Sequence, residues 1–90
     1  MVTSIILMKI KRQKVNEVAE QLASIEGFSE VFSVTGSYDL ISIVRVKDNN
    51  ALSDLITNEL KDVEGIEKTD TMLAFKAYSK HDLATMFDFD

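Results

Sequence analysis

IEGFSE at residues 25–30 and VEGIEK at residues 63–68 are two copies of one pattern. In each copy, the apolar end of a predicted helix meets a glycine, and a predicted strand follows. The chain has 90 residues, which is enough for one small domain only. The repeat therefore predicts a single domain built from two similar halves.

The segments around the repeat predict four strands and two helices in the order βαββαβ. Short β-branched and apolar runs predict strands at residues 3–10, 31–35, 39–46 and 67–78. Apolar residues at helical spacing predict one helix at residues 14–25 and a second after the capping sequence Asp48-Asn49-Asn50. This order predicts an α+β, ferredoxin-like fold: a four-stranded antiparallel sheet with both helices on one face.

The two predicted central strands are apolar on both of their faces. Ile5 and Leu7 alternate with Ile6 and Met8 in the first strand, and the third strand has the same character. An antiparallel sheet with one exposed face should instead alternate apolar and polar residues. Because the helices cover one face only, we expect a second copy of the chain to cover the other. The predicted assembly is a homodimer in which the two sheets form a dimeric α/β barrel.

Composition and charge argue against several classes of protein. Fifteen acidic and 10 basic residues give a net charge of −5, which disfavours direct binding to nucleic acid. The chain has no cysteine and a single histidine, His81, so we expect no metal site. Its apolar runs are too short for a signal peptide or a membrane span, which predicts a cytoplasmic protein without membrane contact. No catalytic residue is predicted, because His81 has no evident orienting partner and the sequence pairs no two carboxylates in one cleft. No cofactor is predicted, and no phosphate-binding glycine loop is present.

The segment from Val34 to Leu40 is the strongest candidate for a binding site. Gly36 can adopt a positive φ that turns successive backbone N–H groups toward one point, where a carboxylate could bind. Asp39 is a nearby acceptor for an ammonium group, and the hydroxyls of Thr69 and Thr71 can both donate and accept. Together these groups would suit a free amino acid. A plain β-hairpin, with Asp39 bonded to its own backbone, is the alternative interpretation.

Residues 3–78 resemble the RAM domain, the effector-binding module of the Lrp/AsnC (feast/famine) transcriptional regulators. Three segments in this order carry the resemblance: Val34-Thr35-Gly36-Ser37-Tyr38-Asp39-Leu40, Val63-Glu64-Gly65-Ile66 and Thr69-Asp70-Thr71. The resemblance implies dimers with facing sheets, their further assembly into rings, and a small effector, usually an amino acid, bound between neighbouring dimers. It also implies that the backbone of Gly36, Ser37 and Tyr38 holds the ligand and that Asp39 faces its amino group. Thr69 and Thr71 would contribute from the adjoining subunit.

Full-length members of this family carry an N-terminal helix-turn-helix, whereas this chain starts at its first strand. The resemblance therefore implies a stand-alone module at residues 1–78 that senses an effector without a DNA-binding domain of its own. For a role in transcription, the expected partner is a DNA-binding Lrp/AsnC paralogue.

Residues 79–90 are predicted to form a C-terminal tail with a short docking helix. Ser79 and Asp82 resemble a helix cap, and Leu83, Met86 and Phe87 follow helical spacing. Such a helix is too short to be stable alone, so we expect it to pack on its own dimer or on a neighbouring one.

Three other classes of function remain open. A cofactor-free, monooxygenase-like dimeric α/β-barrel enzyme would need a polar pocket, which the apolar strands disfavour. An ACT-like regulatory domain would place a glycine loop after the first strand, where this chain has Lys11-Arg12-Gln13-Lys14. The third class is an assembly subunit that binds no ligand.

Overall fold

The computed structural model describes residues 1–78 and Lys80, and it has the predicted ferredoxin-like fold. Its strands are β1 (Val2–Ile10), β2 (Phe28–Ser33), β3 (Leu40–Val46) and β4 (Ile66–Leu73). The first helix, α1 (Val15–Ala23), follows a 3-10 turn at Arg12–Lys14. The second helix, α2 (Asn49–Asp54), continues as a π-helical turn (Leu55–Glu59) and a 3-10 turn (Leu60–Asp62). The predicted tail at residues 79–90 lies, apart from Lys80, outside the described residues.

The four strands form one antiparallel sheet in the order β2-β3-β1-β4. The two most apolar strands, β1 and β3, are therefore central, as predicted. Ile5 pairs with Ile43 of β3 on one side and with Met72 of β4 on the other. The β1–β4 register shifts between Lys9 and Ile10, close to the end of β1. Among the described residues, no helix is long and apolar enough to cross a membrane.

The hydrophobic core lies between the helices and one face of the sheet. Alternate residues of the central strands are buried there, namely Ser4, Ile6, Met8 and Ile10 of β1 with Leu40, Ser42 and Val44 of β3. The helical segments contribute Val18, Leu22, Leu55 and Leu60 to the same core. Burial at every second strand position places both helices on this one face.

The opposite face, here called the helix-free face, is apolar at its centre and charged toward its ends. The centre consists of Ile5, Leu7, Ile41 and Ile43, which are only partly buried, flanked by Phe32 and Met72. Toward the ends lie Thr3, Lys9, Arg45 and Lys68, and on the edge strands Glu30 and Asp70 lie opposite Ile43 and Leu7. Phe32 is 47% exposed and Met72 is 48% exposed, so this face has the apolar character that the strand pattern predicted.

The repeated glycines make the two tight helix-to-strand turns. Gly27 has φ +104 and Gly65 has φ +105, a conformation that side chains rarely adopt. A Cβ atom at Gly27 would lie 2.8 Å from Leu55 Cδ1, and one at Gly65 would lie 3.0 Å from Lys14 Cβ. Each turn therefore packs closely against a helical segment, which explains why the pattern occurs twice.

The bounds of β2 and β4 differ most from the sequence-based expectation, and β2 ends at Ser33 rather than at residue 35. β2 begins at Phe28, directly after Gly27, because Phe28 already pairs with Val44 of β3. β4 ends at Leu73, although apolar residues continue beyond it. Its last paired residue, Leu73, lies opposite Ser4 of β1, and one further backbone bond follows, from Ala74 N to Thr3 O at 2.9 Å.

Candidate ligand site

Residues 34–39 form the loop between β2 and β3, called here the 34–39 loop. It lies at the end of the sheet where β1 finishes and β4 starts. The backbone N–H of Val34 donates to Asp39 O at 3.0 Å, which closes the loop on itself. Asp39 N donates to Met8 O at 2.8 Å, which joins the loop to the central strand β1. Both ends of the loop are thus held by backbone hydrogen bonds.

The Asp39 carboxylate forms part of the fold as well as of the candidate site. Pairing between β1 and β3 ends at Met8 and Leu40, so β3 offers no further carbonyl to the backbone of Ile10. Asp39 Oδ2 accepts the Ile10 N–H at 2.8 Å and takes the place of that carbonyl. The hairpin alternative placed this bond on the residue's own backbone, whereas the observed partner lies on another strand. One of the two carboxylate oxygens is therefore fixed by β1.

Gly36 gives the loop its exposed tip. Its φ is +114, the positive value that the sequence predicted, and a Cβ atom at Gly36 would meet nothing within 4 Å. The glycine is therefore required by the backbone conformation rather than by close packing. Gly36 and the neighbouring Ser37 are both exposed, so their backbone groups can be reached by a ligand.

Tyr38 turns its side chain away from the tip and toward β4. Its hydroxyl donates a hydrogen bond to Asp70 Oδ2. This hydrogen bond to a carboxylate, helped by partial desolvation and by the negative charge, raises the pKa of Tyr38 above its ordinary value. The side chain of Tyr38 is thus hydrogen-bonded to β4, while its backbone belongs to the loop.

Thr69 and Thr71 lie one strand away from the loop. They pair with Met8 and Ile6 of β1, so their side chains point to the helix side of the edge strand β4, where both residues are exposed. Within one chain, β1 separates these hydroxyls from Asp39. The structure thus places Gly36, Ser37, Tyr38 and Asp39 in one loop, and it does not bring the two threonine side chains to that loop.

The loop end of the sheet carries several basic residues in an otherwise acidic chain. Lys9 lies near the end of β1, and Lys11 and Arg12 follow in the turn, where Lys11 N bonds Gly65 O at 2.8 Å. Lys14 Nζ lies 3.0 Å from Glu17 Oε2, and this hydrogen-bonded ion pair raises the pKa of Lys14.

A cavity of about 700 Å³ lies at the other end of the sheet, between Gly27, Arg45 and Leu55. None of the predicted site residues lines it. In residues 1–78 and at Lys80, no cluster of three or more His, Cys, Asp or Glu residues could hold a metal ion.

Asp70 is the functional candidate that sequence reasoning passed over. It stands between Thr69 and Thr71 in the family-like motif, but strand alternation places its side chain on the opposite, helix-free face. A charged residue that faces an apolar surface is a signal that could have identified it. Its partner could not have been found in this way, because Tyr38 lies 32 positions earlier in the chain.

Comparison with known proteins gives the family. The model of the Lrp/AsnC ligand binding domain matches residues 3–84. The HTH-type transcriptional regulator FL11 of Pyrococcus furiosus is 32% identical over 79 residues, which are 88% of this chain and 52% of that protein. This chain thus spans about half the length of the curated relatives it matches.

Solved structures agree with this result. TTHA0845 from Thermus thermophilus is 40% identical with a TM-score of 0.82, over 89% of this chain and 100% of that one. A hypothetical protein from Pyrococcus horikoshii is 34% identical with a TM-score of 0.80, over 90% and 98% of the two chains. AsnC of E. coli shares the fold, with a TM-score of 0.80 at 20% identity, over 87% of this chain and 53% of that one. By its motifs, its fold and these matches, the chain belongs to the Lrp/AsnC ligand-binding domain family, as the sequence predicted.

Proposed function

We propose that this chain is a regulatory sensor that binds a free amino acid, or a similar small effector, at the 34–39 loop. The observation that carries the proposal is the way this loop is anchored and exposed. Its Asp39 end is held on β1 through Met8 O and Ile10 N, its Val34 end is bonded to Asp39 O, and its glycine tip remains exposed. Family membership supports a binding role, and the curated relatives are transcriptional regulators rather than enzymes. The chain acts by binding and not by catalysis.

The chemistry of the loop suits a zwitterion. The ligand carboxylate accepts hydrogen bonds from the backbone N–H groups of Gly36, Ser37 and Tyr38. The ligand ammonium group donates to Asp39 Oδ1, since Oδ2 is already bonded to β1. Ionised partners on both sides make these bonds stronger than neutral ones.

The complete site forms between copies of the chain. The helix-free face packs against the same face of a second copy, and these dimers assemble into a ring. Within one chain, β1 stands between the loop and the hydroxyls of Thr69 and Thr71. In the assembly, these two threonines therefore contribute to the ligand site of a neighbouring subunit. A transcriptional regulator from Neisseria meningitidis with the same fold forms a complex with L-Met, which supports an amino acid as the ligand class.

The module passes its signal to another protein. We expect its partner to be a DNA-binding Lrp/AsnC paralogue, joined through mixed oligomers. Two related solved chains consist of this domain alone, since this chain covers 100% and 98% of their length.

A thermal-shift screen against the twenty amino acids tests the function. A ligand that binds only the folded protein adds about 2.7 kcal/mol of stability at one hundred times its dissociation constant. We expect one amino acid, or a few of related chemistry, to raise the melting temperature. An unchanged melting temperature with all twenty amino acids would contradict the amino-acid proposal. It would favour a different small effector or a subunit that binds no ligand.

Asp39→Asn tests the assigned ammonium partner. The amide keeps a side-chain oxygen for the Ile10 N–H but removes the negative charge. Because a hydrogen bond to a charged group contributes about 1.5–3 kcal/mol, we expect affinity to fall about 10- to 100-fold. Stability without ligand should fall by less, because the Ile10 N–H keeps a neutral oxygen acceptor. Asp54→Asn, at an exposed position in α2, is the control and should bind normally. Equal affinity of Asp39→Asn and the wild type, measured by calorimetry, would remove Asp39 from the site.

A further inference from the structure

Tyr38 and Asp70 join two parts of the molecule that are otherwise separate. Tyr38 belongs to the 34–39 loop at the end of the sheet. Asp70 pairs with Leu7 of β1, and Leu7 points to the helix-free face, so the Asp70 carboxylate lies on that face as well. The hydrogen bond from the Tyr38 hydroxyl to Asp70 Oδ2 therefore connects the loop to the helix-free face.

This hydrogen bond crosses a strand. In the sheet order, β1 lies between β3, which follows the loop, and β4, which carries Asp70. Neighbouring strands are about 4.8 Å apart, so the side chains of Tyr38 and Asp70 together span about 10 Å over the end of β1. It acts as a strap across the last residues of β1, the same residues whose Met8 O and Ile10 N hold Asp39.

The pair also gives the Asp70 carboxylate a hydrogen-bond partner on an apolar surface. Asp70 lies opposite the partly buried Leu7, and the charged side chains near it on this face are Lys68 and Lys9. Covering an unpartnered carboxylate is costly, whereas a carboxylate that accepts a hydrogen bond is easier to cover. The Tyr38 hydroxyl supplies this hydrogen bond only while the loop keeps its observed position.

From this geometry we infer that Asp70 is a positioning residue for the 34–39 loop, and that it couples the shape of the loop to the covering of the helix-free face. Asp70 does not touch the ligand; it fixes the loop that does. This inference rests on the proposed function for its ligand, but the hydrogen bond can be tested without one. The position of the loop and the covering of the helix-free face are coupled because both depend on the bond between Tyr38 and Asp70.

Amide hydrogen exchange measures the positioning role in the absence of ligand. The Asp39 amide, bonded to Met8 O, reports on the end of the loop. We expect this amide to exchange about 3- to 10-fold faster in Asp70→Asn and in Tyr38→Phe, because the strap is weakened or lost. Tyr78→Phe is the matched control, since Tyr78 is exposed and outside the loop, and its exchange should equal that of the wild type.

Titration of the Tyr38 phenol adds a second measurement, which depends on the hydrogen bond to Asp70 and not on general stability. The chain has two tyrosines and no tryptophan, so in a Tyr78→Phe background the phenolate absorbance reports Tyr38 alone. The bond to Asp70 raises the pKa of Tyr38. It therefore stabilises the fold at pH below the ordinary tyrosine pKa, and this contribution disappears as the pH rises through the raised value. Adding Asp70→Asn should lower the pKa of Tyr38 toward its ordinary value.

The outcomes separate this inference from the proposed function. Unchanged exchange and an unchanged Tyr38 titration in Asp70→Asn would overturn the positioning role. If the wild type binds an amino acid and Asp70→Asn binds it equally well, the inference fails and the function stands. If no amino acid binds the wild type, the proposed function fails, and exchange and titration still decide the role of Asp70. An affinity about 3- to 10-fold weaker in Asp70→Asn, with normal binding in Tyr78→Phe, supports both.

Discussion

At the scale of single residues, Ser42 and Ser4 are two serines in one core with different hydrogen bonding. Both are fully buried on the helix side of the central strands. Ser4 Oγ donates to Met72 O at 2.8 Å, whereas Ser42 Oγ has no partner among the described residues. A buried hydroxyl without a partner costs about 1–3 kcal/mol. We therefore expect Ser42→Ala to raise the free energy of unfolding by about 1 kcal/mol, measured by urea denaturation.

Ser4→Ala is the matched control for this prediction. It removes a hydroxyl of the same size from the same core but breaks a hydrogen bond and leaves Met72 O without that donor. The free energy of unfolding should fall by about 0.5–1.5 kcal/mol. Both variants need the same protein concentration as the wild type, since association alters apparent stability. Equal destabilisation by the two substitutions would show that the Ser42 hydroxyl is hydrogen-bonded.

At the scale of secondary-structure elements, the two helices begin in different ways. Asp48 Oδ1 accepts the Ala51 N–H at 2.8 Å and caps α2, as the sequence predicted. At α1, Lys14 holds the N-cap position without a side-chain cap. Loss of an N-cap costs about 1 kcal/mol, so Asp48→Ala should lower the free energy of unfolding by that amount in urea. Asp48→Asn keeps an oxygen for the same N–H and should remain close to the wild type. If Asn and Ala destabilise equally, the negative charge rather than the cap is responsible.

Local patterns predicted the elements and the 34–39 loop better than they predicted contacts between strands. Gly36 and Asp39 lie within one short segment, so residue type alone indicated a turn with a nearby acceptor. The end of β4 at Leu73 depends on its pairing with Ser4 of β1, and the bond from Tyr38 to Asp70 depends on the register of three strands. The π-helical turn at Leu55–Glu59 has the same apolar spacing as a regular helix, so periodicity could not reveal it.

At the scale of the whole molecule, the proposed homodimer depends on the helix-free face. Met72 and Leu73 are neighbours on the edge strand β4, with exposures of 48% and 50%. Met72 pairs with Ile5 and points to the helix-free face, whereas Leu73 pairs with Ser4 and points to the helix side. The two positions thus have nearly the same exposure in one chain and differ in the face they occupy, which makes them a matched pair for testing the proposed homodimer.

Met72→Lys should weaken the dimer, and Leu73→Lys should leave it intact. Burying a methionine side chain contributes about 1.5–3 kcal/mol, and a twofold interface contains the residue twice. We therefore expect Met72→Lys to raise the dimer dissociation constant by at least about tenfold in analytical ultracentrifugation, because about 1.4 kcal/mol corresponds to a factor of ten. Since both side chains are half exposed in the single chain, neither lysine should unfold it. A dimer weakened by Leu73→Lys and not by Met72→Lys would place the interface on the helix side, and Asp70 would then no longer lie at the boundary between the loop and a second copy.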